Sequence, residues 1–255
     1  MGWDVSLSPS KLGVLRECEL CFWLMVNKKL EKPRGIFPSL PGGMDRIMKA
    51  YCDRYRGALP PELVGKVPGK LWGTPAQIAK LRHWKSGLKA EIRTKHGIVS
   101  LIGALDDLLV DDNGGYAPLD GKSKGDVPKD DGAMFYQCQL DCYALALQEN
   151  GLPPTGKGYL WYFWPVSLTN GIASIGFEST VYPLRASAEE AVKTIEYAME
   201  IIKGPQPNQS EKCEHCTFSD ARACHALTMA GLEVEEVTPA APPFTKIVVG
   251  EIVTR

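Results

Sequence analysis

Two apolar runs, GIVSLIGALDDLLV (97–110) and YAPLDGKSKG (116–125), flank the short polar stretch DDNGG (111–115). Asn-Gly between apolar runs is the strongest short-range signal for an antiparallel hairpin, because both residues tolerate the positive φ of a tight turn. The hairpin puts the acids of GALDD (103–107) and LDGK (119–122) on facing strands. Asp120 and Lys122 are two apart and project to the same face. Which acid opposes Asp120 depends on the loop. A two-residue Asn113-Gly114 turn sets Asp107 opposite Asp120 and Leu105 opposite Lys122, whereas a three-residue loop or a bulge sets Asp106 there instead. Pattern alone leaves both open. Carboxylates about 4 Å apart repel by roughly 4 kcal/mol at an effective dielectric of 20, so such a pair needs a cation. A hard divalent ion, Mg²⁺ or Mn²⁺, prefers these oxygens and could polarise a phosphodiester and acidify water, while a lysine steadies developing negative charge. The plainer alternative makes them strand-end and turn acids with no ligand role.

Around the hairpin the chain reads mostly as helices. Ser8-Pro9 is an N-cap followed by proline at the first helical position, opening a helix that delivers Cys18 and Cys21. FPSLPGG (37–43) reads as a loop, MDRIMKAYCDRYRG (44–57) as a strongly basic helix, and 58–73 as an irregular connection. PAQIAKLRHWKSGLK (75–89) reads as a helix carrying Lys80, Arg82, Lys85 and Lys89. After the hairpin come a helix over 133–151, an aromatic strand GYLWYFWP (158–165) closed by Pro165, a strand SIGFESTVYPL (174–184) and an amphipathic helix over 187–204. The order predicts an α/β (α+β) fold around a central mixed sheet flanked by helices, with a helical N-terminal region and a C-terminal cysteine cluster.

The near-zero net charge of −1 hides an asymmetry: residues 1–129 hold 21 Lys and Arg against 14 acids, and the rest is acidic. A basic half suits a polyanion such as nucleic acid, or is simply a set of solvated helix faces. No apolar run approaches the roughly 20 residues of a membrane span, and MGWDVSLSPSKLG lacks the layout of a signal peptide, so the expected location is cytoplasmic. There thiols stay reduced, and eight cysteines point to metal rather than disulfides. KCEHCTFSDARACH (212–225) supplies Cys213, Cys216 and Cys224, one short of a four-coordinate site. Cys52, Cys138 and Cys142 read as small buried apolar residues.

Taken together these pieces resemble the RecB-type branch of the PD-(D/E)XK nuclease superfamily, especially the iron–sulfur CRISPR-associated exonucleases (Cas family four) and their viral relatives. SPSKLGVLRECELCFWL is similar to that family's opening helix, with Cys18 as the family cysteine and Cys21 an extra. GALD resembles Gly-x-x-Asp, which implies Asp106 as the metal ligand. LDGK resembles (D/E)-x-K, which implies Asp120 as second ligand, Lys122 as catalytic lysine and the Gly121 carbonyl as an additional ligand. QLDCYALAL resembles Gln-x-x-x-Tyr, with Gln139 and Tyr143 orienting the lysine and DNA. CEHC…C resembles the terminal cluster, so Cys18, Cys213, Cys216 and Cys224 would hold a [4Fe–4S] cluster, with structural zinc as the alternative.

The resemblance implies a restriction-endonuclease-like domain over 1–228, with 35–97 a helical, basic insertion, and a loosely held tail at 229–255. It implies a Mg²⁺- or Mn²⁺-dependent deoxyribonuclease acting on single-stranded DNA or DNA ends, in company with CRISPR-adaptation or recombination proteins. One departure stands out. The family's second helix usually brings a His or Glu ligand, and here only Asp45 is near. A catalytically degenerate DNA-binding subunit and a zinc-stabilised protein with no nuclease role are the competing expectations.

Overall fold

The computed structural model describes residues 4–33, 39–83, 87–171 and 174–229, with the side chains of 130–131 and 224–228 outside the description. The chain divides into two compact units, one of residues 1–10 and 35–196 and the other of residues 11–34 and 197–255.

The first unit is a mixed α/β fold with a curled mixed sheet flanked by helices. It opens with strand β1 (Val5–Leu7); helices α1 (Pro9–Glu17) and α2 (Glu19–Asn27) follow in the chain. Then come α3 (Ser39–Cys52), β2 (Lys70–Leu71), α4 (Pro75–Arg82), β3 (Leu88–Thr94), β4 (Gly97–Gly103) and β5 (Asp107–Val110). After β6 (Tyr116–Ser123), a 3₁₀ segment at Asp130–Tyr136 leads into α5 (Gln137–Glu149), then β7 (Lys157–Leu168), β8 (Ile175–Arg185) and the start of α6 (Ala188–Lys203). Among the described residues the strands form two sheets, ordered β1-β4-β3 and β2-β5-β6-β7-β8. Within the larger sheet β6 and β7 run parallel, joined by the crossover through α5, and the other pairs are antiparallel.

Both faces of the larger sheet are covered, which is why β7 is buried continuously from Gly158 to Trp164. Leu108, Leu160 and Tyr162 pack with Leu140, Tyr143 and Ala144 of α5. On the other face Leu109, Leu119, Tyr159 and Trp161 meet Cys52, Leu63 and Val67. Cys52, Cys138 and Cys142 are buried as expected.

Several boundaries differ from the sequence reading. The run 97–110 is two strands in two sheets, broken at Ala104-Leu105-Asp106. The helix expected over 75–89 stops at Arg82, and Leu88–Thr94 is a strand with Leu88, Ala90 and Ile92 buried and Lys89, Glu91 and Arg93 exposed. The stretch 35–97 is therefore not all helical; Lys85 lies outside the described residues, and Lys89 sits on β3. Within the expected loop at 37–43, Ser39–Gly43 already belongs to α3, while 37–38 lie outside the described residues. Pro165 does not close β7; it sits at a bulge between Pro165 and Ser167, where the missing N–H is tolerated.

The second unit brings α2, the end of α6 and α7 (Glu214–Met229) together. Trp23 donates its indole N–H to the Gly204 carbonyl at 3.3 Å, Asn27 donates to the Ile202 carbonyl at 3.0 Å, and Tyr197 bonds Glu19. The expected opening helix is two helices. Cys18 stands between them in extended backbone (φ −162°, ψ 115°).

Candidate active site and cysteine centre

The hairpin connection fixes the acids. Asp111 Oδ1 accepts from the backbone N–H of Asn113 (2.9 Å) and Gly115 (2.7 Å), and Gly114 takes φ +80°. Those bonds close a three-residue loop, Asp112-Asn113-Gly114. Strand pairing then sets Asp107 opposite Leu119. Asp106, one step before β5, comes level with Asp120. Of the two registers left open by pattern, this is the three-residue one.

The break before Asp106 is pinned at each residue. Tyr143 donates its hydroxyl to the Ala104 carbonyl at 2.8 Å, Leu105 N–H reaches Leu81 O at 3.1 Å, and Arg82 Nε donates to Asp106 O at 2.7 Å. Gly103 lets the Tyr143 ring come this close, since a Cβ there would stand 3.2 Å from two ring carbons.

Asp120, Lys122, Gln139 and Tyr143 form one connected set. Lys122 Nζ stands 2.6 Å from Asp120 Oδ2 and donates to Gln139 Oε1 at 3.3 Å. Gln139 Nε2 donates to Asp120 Oδ1 (3.1 Å) and to the Tyr143 hydroxyl (2.7 Å). Both ends of the amide are used, which fixes its orientation. Lys122 also lies over the Tyr136 ring, 4.2 Å from its centroid, a cation–π contact. Asp120 is 2% exposed at its side chain. Burial and the neighbouring Asp106 charge push its carboxyl up to about 6 against the opposing pull of Lys122.

Asp106 faces a small cavity of about 50 Å³, bordered by Asp45, Lys49, Gly121, Ser123, Trp161 and Phe163. Gly121 donates its N–H to Asp106 Oδ2 at 3.2 Å, and Lys49 Nζ lies 2.8 Å from Asp106 Oδ1 and 2.8 Å from Asp45 Oδ2. Asp45 thus reaches the cavity wall, paired with a lysine one helical turn away. Gly121 and Ser123 border the cavity, whereas Asp120 and Lys122 alternate to the other face of β6, toward Gln139. The oxygen donors, together with an undercompensated buried acid, suit a hard divalent cation.

Sequence reading missed the neighbouring ion network. Asp107 Oδ1 and Oδ2 each accept from Arg56 at 2.6 Å, and Arg82 reaches Oδ2 at 3.0 Å. Asp53 accepts from both arginines, at 2.8–3.1 Å from Arg56 and 3.0 Å from Arg82. The network joins the segment after α3, the end of α4 and the start of β5. Arg56 and Arg82, counted in sequence as part of a basic face, point inward.

In the second unit Cys18, Cys21, Cys213 and Cys216 bring four buried sulfurs within 4.8 Å of one another. The Cys21–Cys213, Cys21–Cys216 and Cys18–Cys216 separations are 3.7, 3.6 and 3.8 Å. Cys21, taken as an extra in sequence, is a full member; the signal was that Cys18 and Cys21 share the two-residue gap of Cys213 and Cys216. The Cys224 side chain lies outside the described residues. Burial acts to raise Cys18, but hydrogen bonds with the backbone at Ser210 and Cys21 and with neighbouring thiols bring it down to about 7. Burial pushes Cys21 up to about 12. The set can bind a metal ion or cluster.

The mixed sheet thus carries Asp-x-Lys on β6, beside the aspartate that precedes β5. Residues 70–224, more than half of the chain, match the model of the PD-(D/E)XK nuclease superfamily, and the chain belongs to that superfamily. Among solved structures, the crystal structure of SSO0001 overlaps 86% of each chain, with a TM-score of 0.38 and 16% identity. Among curated proteins, the phenylalanine–tRNA ligase β subunit of Ralstonia nicotianae is 70% identical over 36 residues, 14% of this chain and 4% of that subunit. The same subunit of Bordetella parapertussis is 76% identical over 29 residues, 11% of this chain and 4% of the subunit. The chain therefore spans about 4% of the length of these curated relatives. Among the described residues, no helix is long and apolar enough to cross a membrane.

Proposed function

We propose that the protein is a metal-dependent deoxyribonuclease of the RecB-type branch, acting on single-stranded DNA or DNA ends. The observation that carries this reading is the joined set Asp120–Lys122–Gln139–Tyr143 beside Asp106, in a chain of the nuclease superfamily. Asp106, Asp120 and the Gly121 carbonyl would hold Mg²⁺ or Mn²⁺, with Asp45 as the further acid on the cavity wall. A bound divalent ion would supply Lewis acidity and an acidified water. Lys122 would set a positive charge beside the scissile phosphate and stabilise the negative charge that develops on its oxygens. Gln139 keeps that ammonium and the Asp120 carboxylate in one geometry, and Tyr143 locks the Gln139 amide to the backbone before Asp106. The basic residues of 1–129 that remain outside the ion network would track phosphates. The family resemblance sets such an enzyme in CRISPR adaptation or recombination.

The test is cleavage of end-labelled single-stranded DNA with Mn²⁺. Lys122→Ala and Asp120→Ala should each abolish cleavage while DNA binding persists, and metal-dependent cleavage by Lys122→Ala at the parent rate would refute the assignment. Circular single strands compared with linear ones separate end-dependent from internal cutting.

A second reading, a degenerate DNA-binding subunit, is favoured by Lys49 occupying the carboxylates of Asp45 and Asp106 and by the lack of His or Glu on α3. DNA binding without cleavage by the parent protein would support it. For the cysteines, two observations favour different occupants. Three of the sulfur separations, 3.6–3.8 Å, match the edge of about 3.8 Å expected for a tetrahedron with bonds of about 2.3 Å to one zinc ion. The family resemblance favours a [4Fe–4S] cluster, whose ligand sulfurs bind four separate irons and stand further apart. Metal analysis of protein purified without oxygen decides between them.

A further inference from the structure

Lys49 stands where a cation belongs. Its ammonium is 2.8 Å from Asp106 Oδ1 and 2.8 Å from Asp45 Oδ2, and its side chain and that of Asp106 are each about one-quarter exposed. The ammonium bridges two acids on different elements, α3 and the segment before β5, as a bound ion would.

Charge summed over both faces of β6 makes the same point. Asp45, Asp106 and Asp120 set three negative charges against the two ammoniums of Lys49 and Lys122. A divalent ion would turn this deficit of one into an excess of one, and the single charge of a phosphodiester would then bring the site to neutrality. Asp106 Oδ2 is already engaged by the Gly121 N–H. The oxygen with most to offer an ion is therefore Oδ1, which Lys49 holds.

We infer that Lys49 is a displaceable internal counter-ion, holding Asp106 and Asp45 together in the ion-free protein and competing with a divalent ion for Asp106 Oδ1. The inference rests on reading Asp106 as a divalent-ion ligand. Lys49 is then a positioning residue, and the apparent ion affinity contains the cost of moving it aside. Once displaced, its charge remains beside the cavity as a partner for the phosphodiester.

The test removes the charge and keeps the length. Lys49→Met should bind Mn²⁺ about tenfold or more tightly, as measured by calorimetry or by the loss of free-ion EPR signal on titration. The same variant without metal should melt lower, and saturating Mn²⁺ should recover the difference. General damage to the fold would weaken both quantities, whereas a counter-ion moves them in opposite directions. Lys49→Gln serves if the Met variant folds poorly, and Lys49→Arg, which keeps the charge on a less easily displaced fork, should bind no more tightly than the parent. Mn²⁺ binding by the parent with equal or weaker binding by both uncharged variants overturns the inference and leaves the nuclease reading standing. Binding by the variants alone supports the inference and overturns the nuclease reading for the parent protein. No binding by any of them overturns both.

Discussion

Asp106 and Asp107 are adjacent, yet they should respond oppositely to truncation. Asp107 is 5% exposed at its side chain and receives three arginine N–H groups at 2.6, 2.6 and 3.0 Å, besides the Leu108 amide at 2.8 Å. Removing one partner of a buried ion pair costs about 3–5 kcal/mol, because the surviving charges stay buried. Both guanidiniums keep Asp53, while Arg56 also holds Trp72 O at 3.2 Å and Arg82 holds Asp106 O at 2.7 Å. These retained partners put Asp107→Ala at the low end, about 3 kcal/mol. For a chain of this size that lowers Tm by about 6–12 °C. Asp106 is 26% exposed and makes one ion pair and one amide contact. Asp106→Ala should cost less than about 1 kcal/mol, yet abolish Mn²⁺ binding. Urea unfolding and Mn²⁺ titration of both variants are the assays. A loss below about 1 kcal/mol in Asp107→Ala would refute the idea that this aspartate is a buried keystone rather than a ligand.

Asp120 yields a pH prediction. Its carboxyl is raised to about 6 from an ordinary 3.8, so the charged form is disfavoured in the folded state. That penalty is full above pH 6 and disappears as pH falls below about 4. Without metal, Asp120→Asn should therefore be more stable than the parent at pH 7.5, with the gap closing toward pH 4; a gap that widened on acidification would contradict the burial argument. Mn²⁺ binding by the parent should weaken as pH falls through 6, where protons compete for the same carboxylate, and a titration flat from pH 5 to 7.5 would argue against Asp120 as a ligand. Cys21→Ser should lower the bound metal and the Tm if the four close sulfurs are the ligands, whereas Cys224→Ser should do so if the family's cluster is present. Iron and zinc content, read together with visible absorbance, distinguishes the two.

Much of the site was legible because Asp-x-Lys on a strand and Gln-x-x-x-Tyr on a helix are local patterns with fixed geometry. Register was not, because it turns on whether Asp111 belongs to the strand or closes the loop. Its carboxylate bonds to two loop amides decide that. The alternation of Leu88, Ala90 and Ile92 is a strand signal, but it overlaps the end of the helical pattern over 75–89. Gly87 marks the break: its amide bonds His83 O at 2.7 Å, and a Cβ there would stand 2.3 Å from the Gly103 carbonyl oxygen. Cys18 and Cys21 repeat the spacing of Cys213 and Cys216, but the family resemblance has a place for only one cysteine on the opening helix. Arg56 and Arg82 could not be assigned from sequence, since nothing local tells an arginine that tracks phosphates from one that turns inward to carboxylates.

The choice of base in the two neighbouring charge clusters is itself informative. Asp53 and Asp107 are matched by two arginines, whose planar forks span several carboxylate oxygens and a backbone carbonyl at once. That cluster is charge-balanced and has no reason to rearrange. Asp45, Asp106 and Asp120 are matched by two lysines, compact charges on flexible stems, and retain one unbalanced negative charge. A lysine can leave an acid by rotating its stem, whereas a fork bonded at three points must break all of them together. The arginine cluster therefore fixes the backbone that presents Asp106, and the lysine cluster keeps the adjustable charge next to it. Exchanging the types should separate the roles: Arg82→Lys should lose stability despite its retained charge, whereas Lys49→Arg should keep it.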